Sequence, residues 1–436
     1  MIDSLTPQST ENIVKKSLLL SWLICTLGAV FYCYEYFLRI SPSVMTQELM
    51  RTYHLTGAQV GNLSAFYYHA YVPMQILVGL LMDRYGPRRL LTMASLFCAL
   101  GTFLFADSNN ILVSEAGRFL VGFGSAFAFV GAMKLATIWL PPKRFALIAG
   151  IIVCLGMIGA MCGDILLGAL VDKIGWQMTT DLSGILGIGL AIIIWLVVRD
   201  INVHSEFPEV HIVSFRTVMS GLVRAIMNPQ IWLNGCIGML LYLSLSAFAE
   251  LWGVRYLQEA YGFSRATAAN ANSMVFLGWA IGSPLWGWFS DYIHKRILPI
   301  LVSAILALIM ICIVLYLPHT SVIGVSIELF LFGLFCSAQI LIFAICREIS
   351  SLKIVGTAIA LTNMMVMIGG NIFQPVIGKL LDVRWDGTIV AGVRIYTEHA
   401  YRVALSVLPL SMILTVIVAL FLRETYCKVR EDHFHN

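Results

Sequence analysis

The sequence predicts an all-α membrane protein whose twelve transmembrane helices form two pseudo-symmetric six-helix bundles. Three observations predict it. Among 436 residues, 59% are hydrophobic and only 12% charged, with a mean hydropathy of +0.85; soluble domains carry about a quarter charged residues. Long apolar runs recur along the chain, most near the ~20 residues that a helix needs to cross the hydrocarbon. A G-x-x-x-D pattern closes four of these runs, at Gly79/Asp83, Gly168/Asp172, Gly287/Asp291 and Gly378/Asp382. The first and third copies lie 208 residues apart and the second and fourth 210. The chain therefore reads as one unit written twice.

The predicted spans are 17–37, 60–81, 90–105, 111–140, 145–171, 183–198, 231–256, 267–288, 297–317, 322–345, 354–381 and 404–422. They must be helices, because a bilayer offers backbone groups no other partner. The polar stretch 1–16 leads into a full-length span with no obvious cleavage site, so it reads as a short cytoplasmic tail. The second, fifth, eighth and eleventh spans end in the G-x-x-x-D copies, and Gly156, Gly159, Gly163 and Gly168 give the fifth a small-residue packing face. The longest hydrophilic interruption runs from Arg199 to Pro229 and contains His204, Glu206, Pro208, Glu209 and His211. This sets the expected boundaries: a first bundle at 1–198, a cytoplasmic linker at 199–229, a second bundle at 230–423 and a tail at 424–436. The stretch from Arg423 onward is polar and expected to be mobile.

Basic residues orient the chain. With the N-terminus inside, seventeen Lys and Arg fall in cytoplasmic segments and nine in the opposite ones, which places both termini in the cytoplasm. That bias explains the net charge of +4 without a nucleic-acid partner. Nine of ten cysteines lie in apolar spans with no C-x-x-C pair, which argues against a disulfide framework or a metal site. H-E-x-x-H, G-x-S-x-G and P-loop patterns do not occur, so neither an enzyme nor a nucleotide-driven pump is expected and no cofactor is implied.

After the second span stand Gly79, Asp83, Arg84, Tyr85, Gly86, Arg88 and Arg89. In this order they resemble the major facilitator signature G-x-x-x-D-R-[FY]-G-x-[RK]-[RK]. Gly287, Asp291 and Arg296 form its weaker echo, and Arg118, Gly122 and Gly124 resemble the superfamily's R-x-x-x-G-x-G motif. The resemblance covers the whole chain. It implies a latch at the cytoplasmic helix ends, made by these glycines, acids and arginines, that holds the outward-open state. Glycine there permits close helix approach, and the carboxylate can accept from a neighbouring helix N-terminus or pair with Arg84 or Arg88. The proline that antiporters of the superfamily carry in the fifth helix is missing, which leans away from drug efflux.

Charges inside the spans are functional candidates because their burial is costly. Arg39 maps 211 residues on to Glu250, and Arg118 maps 210 on to Glu328. The first, fourth, seventh and tenth helices line the central cavity in the family resembled, so a cavity with arginine and glutamate walls is implied. Such walls suit a zwitterion: the guanidinium fork matches a carboxylate, and glutamate holds an ammonium. A competing reading pairs the four charges as an outer gate, and a third lets them snorkel to the interface.

Tyr32, Glu35 and Arg39 share one helix face. The segment from Tyr36 to Ser43 resembles the first-helix pattern of organic-anion symporters, and Tyr34 to Ser43 resembles amino-acid importers of intracellular bacteria. Leu38 stands where the symporter pattern has its acid, and Ser125 where the fourth helix often has one, so Glu35 is the nearest candidate for a proton-carrying carboxylate. Asn371 is expected to line the path, with Asn363 and Gln374 left to packing. Asp164 reads as half of a structural pair, Lys134 as snorkelling, His69 as part of a polar helix seam and Trp252 as an interfacial tryptophan.

The function expected is a secondary transporter in a bacterial inner membrane that imports a small polar nutrient by alternating access. An amino acid leads the cargo classes and an organic anion follows; the proton is the expected co-substrate, the bilayer the surroundings and a monomer the expected form. Efflux and a non-transporting sensor are the alternatives.

Overall fold

The computed structural model describes residues 7–107, 110–140, 145–200, 215–317, 321–350 and 355–428. Among the described residues, twelve helical rods follow one another, with the shorter helices Ser41–Val44, Thr46–Tyr53 and Phe215–Ile226 between them. The rods are Pro7–Arg39, Gly57–Tyr85, Pro87–Ala106, Ile111–Trp139, a fifth from Phe145 to Ile174, Trp176–Val197, a seventh from Pro229 to Tyr261, Arg265–Ile293, Ile297–Tyr316, a tenth from Val322 to Ile349, Val355–Val383 and a twelfth from Glu398 to Ala419. Among the described residues, eleven are long and apolar enough to cross a membrane. The eighth is 29 residues long but carries Asn270, Asn272, Ser273 and Ser283, which lower its apolarity.

Local sequence sets the helix starts. Thr56 and Gln59 form a capping box at the second helix, while Asn110, Asn228, Ser264, Ser321 and Thr397 each accept from an amide of the first turn. Two rods contain π-helical stretches, Gly163–Leu167 in the fifth and Ser244–Trp252 in the seventh. The sixth and ninth helices expose Ile185, Leu186, Ile192, Leu196, Ile305 and Ile309. An apolar belt of this kind is matched by lipid and not by water.

The two six-helix units pack alike. A Cβ at Gly122 of the fourth helix would collide with the Tyr67 carbonyl of the second, and a Cβ at Gly333 of the tenth with the Val275 carbonyl of the eighth. The offsets are 211 and 208 residues, so the sequence repeat is also a packing repeat.

Within 199–229, Phe215–Ile226 is a helix, and its Leu222 and Ala225 pack with Ile231, Ala358 and Leu361 of the second unit. Residues 201–214, with His204, Glu206, Pro208, Glu209 and His211, lie outside the described residues. One expectation needs correction: from Glu424 to Cys427 the tail is docked, since Glu424 accepts from the amides of Arg296 (2.8 Å) and Ile297 (2.9 Å) and Thr425 Oγ1 donates to Glu348, while residues 429–436 lie outside the described residues. The ninth helix starts with unsatisfied amides, and a tail carboxylate satisfies them.

Candidate functional site

Twelve crossings return the chain to the face on which it began, hereafter the terminal face. Near the other face, the first helix meets the second and seventh around one buried guanidinium. Arg39, 2% exposed, binds Glu35 through both Nε and Nη2. Its Nε also donates to Tyr67 Oη at 3.0 Å and its Nη1 to Tyr242 Oη at 2.9 Å. Glu250 Oε1 lies 3.8 Å from Nη1. Tyr67 donates to Glu35, Tyr68 to Glu250, and Tyr242 to Glu250 at 3.4 Å. The Tyr36 ring stacks 4.2 Å from the guanidinium carbon. One cation, two carboxylates and a tyrosine cage thus join the first six helices to the last six.

Burial of this knot is tolerated because each charge has a partner and further donors. Glu35 Oε2 has no hydrogen-bond partner among the described residues. Tyr32 supports the cage through its ring, which packs edge-on against Tyr36 at 5.1 Å and tilted against Phe129 at 5.4 Å.

The structure does not bring Arg118 and Glu328 into the knot as a second pair. Arg118 donates to the carbonyls of Leu38 (3.1 Å) and Arg39 (3.2 Å), capping the end of the first helix. Glu328 is half-buried and acts electrostatically on Tyr261 at the end of the seventh rod. Asn371 is half-buried with its Oδ1 unpartnered among the described residues. Asn363 bridges the units through Gln75 at 2.8 Å, and Gln374 donates to the Ser246 carbonyl at 2.6 Å. Trp252 is no interfacial residue: it is fully buried and donates to the Gln374 carbonyl. His69 leaves the polar seam of Tyr67, Tyr68 and Tyr71 and lies exposed beside Phe66.

The four G-x-x-x-D copies divide into two kinds. Opposite the terminal face, Asp382 accepts from the amides of Gly57 (3.0 Å) and Ala58 (2.8 Å) at the start of the second helix, and from Tyr396 Oη at 2.6 Å. A Cβ on Gly57 would stand 2.8 Å from the Gly378 carbonyl, so glycine is what lets these backbones meet. Asp172 faces Arg265 of the eighth helix at 3.3 Å. At the terminal face, a Cβ added at Gly79, Gly287 or Gly150 would meet nothing within 4 Å. The close-approach expectation therefore fails at Gly79 and Gly287 in this conformation. The second and eleventh helices, and the fifth and eighth, touch at one end and diverge at the other.

Asp83 turns instead to Lys134 Nζ at 2.7 Å, so Lys134 is an ion-pair partner and not a snorkelling residue. Asp291 pairs with Arg296 at 2.7 Å, and Arg296 also binds Glu348. Arg84 and Arg89 are exposed, and Arg88 lies over the Trp195 ring at 4.2 Å. Gly86 takes φ +79°, and its neighbour Arg88 donates its amide to Asp200 at 2.7 Å. Asp200 and Glu424 are thus matching caps, one after each sixth helix, that sequence reasoning missed. The signal was there: an acid follows an arginine at both places, Arg199-Asp200 and Arg423-Glu424.

The sequence pattern of the Major Facilitator Superfamily matches residues 24–374 and again 235–431. The chain is 25% identical over 287 residues to a probable sulfoacetate transporter, SauU, of Cupriavidus necator, covering 63% of this chain and 66% of that one. It is 24% identical over 404 residues to the lysosomal dipeptide transporter MFSD1 of Danio rerio, covering 87% and 84%. A bacterial homologue of the human lysosomal transporter Spinster, solved inward-facing and unoccupied, superposes with a TM-score of 0.74 at 16% identity, covering 92% of this chain and 95% of that one. These relatives are transporters and not enzymes, while a membrane sensor protein, UhpC of Salmonella typhimurium, is also similar, 24% identical over 378 residues and covering 82% of this chain and 84% of that one. The chain belongs to the Major Facilitator Superfamily and is a multi-pass secondary transporter.

Proposed function

We propose that the cargo is a small zwitterion, an amino acid or short peptide, imported with protons across a bacterial inner membrane by alternating access. The observation that carries this reading is the Arg39–Glu250 contact between the units, 3.8 Å long and sealed by tyrosines. Two opposite charges on two moving walls can part around a molecule that offers a carboxylate to the guanidinium and an ammonium to the carboxylate. Glu35, already bound to Arg39, is the coupling acid: a proton on Glu35 frees the guanidinium for cargo. Arg118 positions Arg39 by holding the end of its helix, and Asn371 supplies a further polar contact. The similarity to a dipeptide transporter supports a carboxylate-plus-amine cargo.

In this reading the terminal face is cytoplasmic, residues 1–198 and 230–423 rock as two bodies, and the protein works as a monomer. Gly79, Asp83, Arg84, Gly86, Arg88 and Arg89 form the cytoplasmic latch with Gly287, Asp291 and Arg296. Open space beside Gly79 and Gly287 supports a released latch in this conformation, with the opposite side shut. A second reading, an organic-anion/proton symporter, is favoured by the similarity to SauU and would use Arg39 with Glu250 as a gate only.

Uptake of labelled amino acids, dipeptides and amine-free carboxylates into proteoliposomes, with and without an imposed proton gradient, tests the reading. Gradient-stimulated uptake of zwitterions is expected, and Glu250→Gln should abolish it. Uptake restricted to amine-free carboxylates, surviving in Glu250→Gln, would replace the first reading with the second.

A further inference from the structure

Among the described residues, four carboxylates are buried: Glu35, Glu250, Asp164 and, bound to Arg296 near the terminal face, Glu348. Arg39 serves the first two. Asp164 is 0% exposed, yet no cation stands within ion-pair distance of it among the described residues. Ser43 Oγ lies 2.8 Å from Oδ1, and Asn272 Nδ2 donates to Oδ2 at 2.6 Å. The same Nδ2 donates to the Ala249 carbonyl at 2.9 Å, which fixes the amide's orientation. Asp164 sits in the π-helical turn Gly163–Leu167, and Ala249 in the π-helical stretch Ser244–Trp252. Such turns gather at functional positions.

Two neutral hydrogen bonds do not repay the burial of a bare carboxylate. Either a proton or a metal cation must complete the site. The donor set decides between them. Hard cations want a shell of about six oxygens, whereas Asn272 turns its NH2 toward Asp164 and commits it to Ala249. A protonated carboxyl fits: Oδ1–H donates to Ser43 Oγ, which can accept as well as donate, while Oδ2 keeps the Asn272 bond. Ser43 and Asp164 belong to the first six helices, and Asn272 and Ala249 to the last six.

We propose that Asp164 is a proton-binding site that locks the end of the transporter opposite the terminal face. When the units part there, Asp164 loses Asn272, meets water and releases its proton to it. Closure takes one proton back from the same side, so acid favours the closed form. Other ionisable groups on the packed elements are committed elsewhere. The first helix brings Glu35 and Arg39, bound to each other; the turn Ser41–Val44 brings none. The fifth brings Cys162 and Asp172 and the eighth Arg265, the last two 3.3 Å apart. Glu250 of the seventh accepts from Tyr68 and Tyr242 and faces Arg39. The lock is independent of the identity of the cargo.

The test uses the full chain in proteoliposomes, with native cysteines replaced and nitroxide labels at Arg51 and Asp386. Both positions are exposed on the locked end, one in each unit. The distance distribution is read by pulsed spin resonance from pH 8.5 to 5. One coupled proton changes the closed-to-open ratio by up to about tenfold per pH unit. That slope is expected in the parent and absent in Asp164→Asn, which stays closed throughout. Should Asp164→Asn not fold, Ser43→Ala should move the transition to lower pH, because the protonated carboxyl loses its acceptor. An unchanged slope in Asp164→Asn, a flat parent profile, or a transition that Ser43→Ala leaves in place overturns the site. A response to sodium replacement by choline at fixed pH overturns the choice of proton over metal.

Discussion

Asp382 and Asp83 occupy the same place in the same motif and hold different partners. Asp382 crosses to the other unit and takes two amides 325 and 324 residues away in sequence. Asp83 stays within its own unit, bound to the half-buried Lys134. The difference follows from the spacing of the helices: glycine at 378 lies against backbone, whereas glycine at 79 faces open space. A carboxylate one turn beyond a glycine is therefore a device with two settings. When the helices meet, it caps a foreign helix N-terminus; when they part, it falls back on a local cation. The two ends show both settings in a single conformation.

The largest effect should come from filling the closed end. A Cβ at Gly61 would stand 2.6 Å from Pro375 Cα, and overpacking costs about 1–3 kcal/mol for even small groups. Gly61→Leu should cut uptake by about 30-fold or more and leave the protein open at that end, as read by the access of a membrane-impermeant reagent to it. Next comes Asp382→Asn. Bonds to a charged acceptor contribute about 1.5–3 kcal/mol, so the closed population should fall by about 10- to 100-fold in the same distance or access assay. Asp83→Asn should act more weakly. Its ion pair is partly exposed and contributes about 1 kcal/mol at most. Transport should slow by about threefold with cargo affinity unchanged; a selective loss of affinity would remove Asp83 from the latch.

The smallest effect concerns the tail. Burial pushes the Cys427 thiol up, with neighbouring Arg296 pulling the other way. A raised thiol holds less reactive thiolate at pH 7.5. Releasing the tail by Glu424→Ala should therefore speed maleimide labelling of Cys427, by mass spectrometry, by about three- to tenfold. Equal rates would mean that the tail does not stay docked in solution.

Much of this fold was legible in the chain. Hydropathy gives the spans because lipid selects them residue by residue, and the 208- and 210-residue offsets give the two units. The Glu35–Arg39 pair follows from helical periodicity, and Glu250 from the offset. Tyr242 was within reach too, since it stands 210 residues after Tyr32, but aromatic residues are common enough in apolar helices to hide it. Asp200 and Glu424 escaped because they lie 224 residues apart. The second unit's longer hairpin, with strands Ile389–Val390 and Val393–Arg394, shifts everything after the eleventh helix out of register. Arg118 shows the limit of the offset: it shares a repeat position with Glu328, yet backbone carbonyls claim it. Which end is closed cannot be written in a motif that both ends share.

Hydrogen–deuterium exchange of the parent and Asp382→Asn proteins, followed at both ends at once, tests the linkage between them most directly. Segments 57–61 and 374–378 should exchange faster in the variant while 79–85 and 287–293 become slower. Faster exchange at both ends, or a change confined to one, would contradict a rocking motion that closes one face as it opens the other.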